Sequence, residues 1–279
     1  VTPFEVDRNG VEAIPVSHSA FPAYAYLYHG SDETILYTGD FRIKSYLTPE
    51  EFRAMTGGPA LLDYFDENRD IKIDLIIIEG TNMGSARTPI DPKESISIHE
   101  KILKNSRNVL ATTHNLDLEY AALLAKMVEN YDKAFYTTSM QMAKLLERAL
   151  EIKVRPNLLE EYASDITLEE LTPLISIEPD SLIVTSYREA INLLRETKVS
   201  VLANTSVIIS EPEPASEEMT EYDVVANWMI RLNVQSYRVR VSGHYYPYQL
   251  KTIFKTLKPK KILPVHTEKP NFLISLAKH

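Results

Sequence analysis

The chain has 279 residues, 44% of them apolar and 25% charged, with a formal net charge of -9. That length buries one sizeable core or two intimately joined ones; no apolar run approaches the roughly 18 residues of a membrane span; and the acidic balance excludes a protein that coats nucleic acid through a broad basic surface, because phosphate contacts draw on Lys and Arg. Cysteine is absent, which excludes disulfides and thiolate ligands, suits a reducing cytoplasm, and leaves His and carboxylates as the means of holding a metal.

The first residue is Val1, with no apolar signal core near it, so the chain is expected to begin partway through a longer one. From Gly10 to Asp40 the sequence predicts three short strands, separated by turn residues such as Gly30-Ser31-Asp32-Glu33. Thr48-Pro49-Glu50-Glu51 predicts a helix start, with Thr48 as N-cap, Pro49 at the first helical position and Glu51 closing a capping box. The run Ile73 to Ile78, β-branched or Leu apart from Asp74, predicts a strand largely buried on both faces.

Beyond Gly84 the pattern is a regular α/β repeat. Helices are predicted at Lys93 to Asn105, Leu116 to Tyr131, Ser139 to Leu150, Tyr187 to Lys198 and Tyr222 to Leu232. Strands are predicted between them at Val109 to Thr112, Ala134 to Thr138, Leu182 to Thr185 and Val207 to Ile209. Such alternation implies a mostly parallel sheet. Glu211 to Glu218 is rich in Pro and acid and reads as a solvated loop, and Lys258-Pro-Lys-Lys261 reads as a solvated helix end.

Chemistry-bearing residues stand where predicted strands run out. Glu12 to Val16 leads to Ser17-His18-Ser19, Thr34 to Tyr37 leads to Gly39-Asp40, Ile73 to Ile78 leads to Glu79, Tyr237 to Val241 leads to Ser242-Gly243-His244, and Lys261 to Val265 leads to His266. Ligands in α/β folds bind off the carboxyl ends of strands. A carboxylate such as Glu79, ending an apolar run, is costly without a partner. If all five meet at one site, the α/β segment between Glu79 and His244 is an insertion that leaves a domain and returns to it. Gly39, Gly80 and Gly243, three of only eight glycines, adjoin these residues, where sharp turns or close approach would need them.

The ordered set Thr38-Gly39-Asp40-Phe41, Glu79-Gly80-Thr81, Val241-Ser242-Gly243-His244 and Pro264-Val265-His266-Thr267-Glu268 resembles the later motifs of the metallo-β-lactamase-fold nucleases of the β-CASP group, which includes ribonuclease J. The resemblance implies an α/β fold of the metallo-β-lactamase (αββα) type, N-terminally truncated. Residues 1–84 and 241–279 would form that domain, with an inserted β-CASP α/β domain at 85–240. It implies His18, Asp40 and His266 as metal ligands, Glu79 and His244 as the catalytic acid pair, and Zn²⁺, two per complete site, as cofactor. Two zinc ions can activate water and clamp an in-line phosphoryl displacement.

The activity so implied is hydrolysis of RNA phosphodiester bonds, with RNA as partner, a homodimer as an expected assembly, and either endonuclease or exonuclease action. The group's His-x-His-x-Asp-His motif does not occur in the chain, so zinc is expected to be reduced or absent here and the chain inactive alone. The alternative is a catalytically dead RNA-binding or scaffold paralogue. Ser17, Ser19, Ser242 and Asn115 are candidate substrate contacts, Asn115 because it ends a strand and opens a helix, a geometry for anions, although a plain N-cap role is equally consistent. Arg42, Lys44 and Arg87 are candidate linings of an RNA groove.

Overall fold

The structure is a computed structural model that describes residues 3–84, 90, 92–152, 154, 177, 179–211, 219–240 and 242–277. Expectations resting on Val1, Arg87, Val241 and the loop from 212 to 218 lie outside the described residues. The described chain divides into two compact units, one of Val1–Pro89 with Ser242–His279 and the other of Ile90–Val241.

In the first unit, strict alternation builds the sheet. Along β2 (Tyr24–His29), Ala25 and Leu27 are fully buried while Tyr26 and Tyr28 are 37% and 41% exposed, the period of a strand with one covered face. β2 pairs antiparallel with β1 (Val11–Pro15) and with β3 (Thr34–Tyr37). β3 then pairs parallel with β4 (Leu75–Glu79), and β4 with β10 (Lys261–Val265). The order β1-β2-β3-β4-β10 runs β1, β3, β4 and β10 in one direction, so four strands end on one edge.

The covered face packs Ile14, Leu27, Leu36, Ile76 and Ile78 against α2 (Leu61–Glu67) and α9 (Leu250–Leu257). Leu250, Ile253 and Leu257 are all buried, a helical stripe in which each fully buried side chain contributes about 1.5–3 kcal/mol. α1 (Pro49–Thr56) begins as the sequence predicts: Thr48 accepts from the Glu51 amide, Glu51 accepts from the Thr48 amide, and Pro49 opens the first turn. α10 (Pro270–Ala277) closes the unit. The other sheet face presents Tyr26, Tyr28, Tyr37 and Leu263 to solvent.

The second unit is the parallel α/β repeat. Its sheet runs β6-β7-β5-β8-β9 and every pairing is parallel. β5 (Asn108–Thr112), β7 (Ser181–Thr185) and β8 (Thr205–Ile209) are buried at every residue, as central strands covered on both faces must be. β6 (Ala134–Thr137) and β9 (Gln235–Arg238) flank them. The helices are α3 (Pro92–Asn105), α4 (Leu118–Val128), α5 (Met140–Leu150), α6 (Tyr187–Glu196), α7 (Val199–Leu202) and α8 (Met219–Arg231).

Several boundaries differ from expectation. α4 starts at Leu118 rather than Leu116 because Asp117, not Asn115, caps it through the Tyr120 amide. The helix expected to run to Lys198 breaks after Glu196, where Thr197 is extended. The run expected to deliver His244 from a strand is instead β9, which pairs with β8 inside the second unit and ends at Arg238.

Candidate metal and catalytic site

Four side chains reach one edge of the first sheet from successive strand ends. Pro15, at the end of β1, lies opposite Tyr24, Tyr37 of β3 opposite Ile77, and Val265 of β10 opposite Glu79. His18, Asp40 and His266 follow within a few residues of those ends, and Glu79 is itself a strand end. An open pocket of about 500 Å³ lies here, lined by His18, Ala23, Tyr24, Tyr37, Asp40, Glu79, Val265 and His266.

Asp40 is turned into place by Gly39, whose φ is +56° and whose missing Cβ would stand 2.7 Å from the Tyr24 carbonyl oxygen. An alanine there meets both a left-handed backbone and a backbone collision. His266 also takes a left-handed conformation, φ 51°, uncommon for a residue with a side chain and frequent at functional sites.

His244 arrives in a loop. Tyr245 donates its amide to the Phe41 carbonyl at 2.7 Å and its hydroxyl to the Glu79 carbonyl, and its ring is buried 5.1 Å from that of Phe41. Asn82 clamps the same loop, its amide nitrogen donating to Ser242 Oγ at 3.1 Å, the His244 carbonyl at 3.3 Å and the Tyr245 carbonyl at 2.9 Å. Neither Asn82 nor the anchoring role of Tyr245 is visible in the sequence; the available signal is an amide side chain three positions after Glu79.

One ligand atom each from His18, Asp40 and His244 lie within 4.8 Å of one another. In both histidines Nδ1 is committed to a protein acceptor, which leaves Nε2 to ligate. His18 Nδ1 lies 2.8 Å from the Gly243 carbonyl oxygen, which can only accept, so Nδ1 carries the hydrogen and Nε2 the lone pair. His244 Nδ1 lies 3.2 Å from Glu79 Oε1, with the same consequence. A metal-binding histidine ordinarily donates its other N–H to a carbonyl or carboxylate in this way. Two imidazoles and one carboxylate are donors that suit zinc, and three protein ligands are the number a catalytic zinc site keeps. The residues present therefore fit such an ion.

Glu79 is 1% exposed. Its carboxylate is satisfied by His244, by the Thr81 amide at 2.8 Å and by the Phe41 amide at 3.5 Å, the partners a buried charge requires. His266 Nδ1 lies 2.9 Å from Asp40 Oδ1 and 3.4 Å from the Thr81 hydroxyl. The hydrogen bond to Asp40 raises the pKa of His266, while burial lowers that of His18.

The site thus groups His244 with His18 and Asp40, and sets His266 beside Asp40 at the exposed mouth. Among the candidate substrate contacts, Ser17 is buried and bridges Arg42 through its backbone. Ser242 Oγ already accepts from Asn82 and from the His244 amide, and Ser19 packs against Gly243. None of the three lines the pocket. Asn115 lies in the second unit, exposed in the turn before α4. Arg42 is buried, with its guanidinium 4.9 Å from the Tyr46 ring centre.

No known protein family and no curated protein matches the sequence. Among solved structures, the fold is similar to the crystal structure of a protein of unknown function from Enterococcus faecalis V583, with a TM-score of 0.68 at 20% identity over 98% of this chain. The chain spans 62% of the length of that protein. Among the described residues, no helix is long and apolar enough to cross a membrane.

Proposed function

We propose that this chain belongs to a zinc-dependent ribonuclease of the metallo-β-lactamase, β-CASP type, with its metal held by His18, Asp40 and His244. The observation that carries the reading is the convergence of those three ligand atoms within 4.8 Å, with both histidines oriented by acceptors on their far nitrogens. Bound there, zinc supplies Lewis acidity and a nucleophile at neutral pH.

The chain's own residues supply the rest. Glu79 fixes the ring of His244 through Nδ1. Gly243 fixes that of His18. His266, hydrogen-bonded to Asp40 and 61% exposed in its side chain, is the group we assign to hand a proton to a leaving oxygen. Tyr24, half-buried, and Tyr37, exposed, line the approach, and an exposed tyrosine face of this kind offers an unpaired base a stacking surface.

The test is zinc content by elemental analysis, with cleavage of a labelled single-stranded RNA measured with and without chelator. The expected result is close to one zinc per chain, lost in a His18→Ala/Asp40→Ala variant, and any cleavage, by this chain or by a longer one that contains it, should disappear with the zinc. Zinc no higher in the parent chain than in that variant would overturn the proposal.

A further inference from the structure

A larger pocket, about 660 Å³, lies at the opposite end of the same sheet, within the first unit. It sits where α2 ends and the chain enters β4, and where α9 ends and the chain enters β10. The two sites are separated along β4 by its five residues, about 17 Å at roughly 3.3 Å per residue. Its floor is apolar, formed by the buried Phe65, Ile73 and Leu257. Its rim carries Arg69, Lys72, Lys255, Lys258 and Lys260, all exposed.

The charge on this rim exceeds what the fold needs. Lys260 is tied to Asp74 at 2.6 Å, and Asp66 is the acidic residue in the lining. Among the described residues, Arg69, Lys72, Lys255 and Lys258 have no carboxylate within ion-pairing distance. The ends of α2 and α9 attract cations, but each helix terminus is worth only roughly half a charge. Five cations set against Asp66, Asp74 and two helix ends leave about two positive charges uncompensated, on a chain whose net charge is -9. Such a concentration on an otherwise acidic surface is a local attractor for phosphate.

We infer that this pocket is a second nucleic-acid contact, in which a single-stranded RNA segment lays successive phosphates on Lys72, Lys255 and their neighbours, away from the site of cleavage. The spread of cations over both sides of an open, ligand-sized pocket fits a strand better than a lone phosphate. The choice of RNA rests on the proposed function; the charge geometry does not.

The experiment measures binding of a short labelled oligouridylate to the full chain in chelator, so that neither metal nor cleavage contributes. The Lys72→Gln/Lys255→Gln variant is compared with a Lys101→Gln/Lys104→Gln control, which makes the same change of net charge on exposed positions of α3. The rim variant is expected to bind roughly tenfold more weakly, with a salt dependence shallower by about 1.4 in log–log slope, the value for two phosphate contacts on a single strand. The control should match the parent, and all three should melt alike. Equal weakening in both variants, or none in the rim variant, overturns the inference. So does competition by a mononucleotide as effective, per phosphate, as the oligomer, which would make the ligand a small phosphate compound. Because the assay excludes metal, loss of zinc chemistry and loss of this contact give separate results.

Discussion

The Nδ1 nitrogen of His18 lies 2.8 Å from the carbonyl oxygen of Gly243, 225 positions away in sequence. That contact joins the strand-end turn after β1 to the loop that carries His244, so one carbonyl orients one candidate ligand while its chain neighbour is the next. A Cβ on Gly243 would stand 2.4 Å from Ser19 Oγ and 3.0 Å from His18 Nδ1. Gly243→Ala should therefore displace the ring of His18 and lower zinc affinity by about 10–100-fold, the usual effect of losing a partner behind a metal ligand. Competition against a chromophoric zinc chelator measures it, and unchanged affinity would remove Gly243 from the site.

Glu79 presents one oxygen to His244 Nδ1 and the Phe41 amide, and the other to the Thr81 amide. All three partners are donors. A Glu79→Gln side chain must point its own NH₂ at one of them whichever way it turns, leaving a buried donor facing a donor. We expect a loss of about 1–3 kcal/mol in denaturant-measured stability, together with weaker zinc binding through a misoriented His244. A variant as stable as the parent would show that Glu79 is not held as the geometry has it.

His99 in α3 is fully buried, with Nδ1 2.7 Å from the Ser95 carbonyl and Nε2 2.7 Å from the Tyr120 hydroxyl. The carbonyl takes the Nδ1 hydrogen, and burial disfavours a second proton, so the neutral ring accepts at Nε2 from Tyr120. Burial lowers its pKa below the ordinary 6.5. The unfolded chain then binds the proton more readily than the folded one, so the stabilisation is complete above pH 6.5 and declines as pH falls from there toward the depressed folded value. The decline approaches about 1.4 kcal/mol per pH unit at most. Urea unfolding of the parent and of His99→Met on either side of pH 6.5 isolates it: the difference between them should shrink on the acid side. A difference independent of pH would mean that His99 titrates alike in both states.

What the sequence made legible follows the range of the interactions. The capping box of Thr48 and Glu51 spans three residues, and the helix begins where those residues place it. The parallel sheet of the second unit is written in runs such as Val207 to Ile209, which bury every residue. α2 and α10 were not anticipated, and of α9 the sequence showed only its solvated end at Lys258: these helices are short, and the stripe of Leu250, Ile253 and Leu257 gains its meaning from the sheet it covers.

The site was legible as a set of residues and less so as an arrangement. His18, Asp40 and His266 each follow a strand and Glu79 ends one, but the strand assigned to His244 belongs to the other unit because its backbone partner is β8. Whether His244 or His266 stands with His18 and Asp40 depends on contacts that cross the whole chain, and strand-end patterns carry no such information.

Asn82 shows what those long contacts do. Its amide reaches three acceptors between 160 and 163 positions away, holding the loop of Ser242 to Tyr245 against the end of β4. The loop has other anchors in Tyr245, buried against Phe41 and bonded to the Glu79 carbonyl, so removing Asn82 should loosen it without unfolding the unit. Asn82→Ala is expected to cost about 1–3 kcal/mol through the acceptors it strands and to weaken zinc binding. Asn82→Asp should do the same or more, since it turns a carboxylate toward the carbonyl oxygens of His244 and Tyr245, which can only accept. Amide hydrogen exchange reads the loop directly: faster exchange at the His244 and Tyr245 amides, with β4 unchanged, is the expected pattern. Exchange that rises equally across β4 would mean that Asn82 supports the unit as a whole rather than the placement of His244.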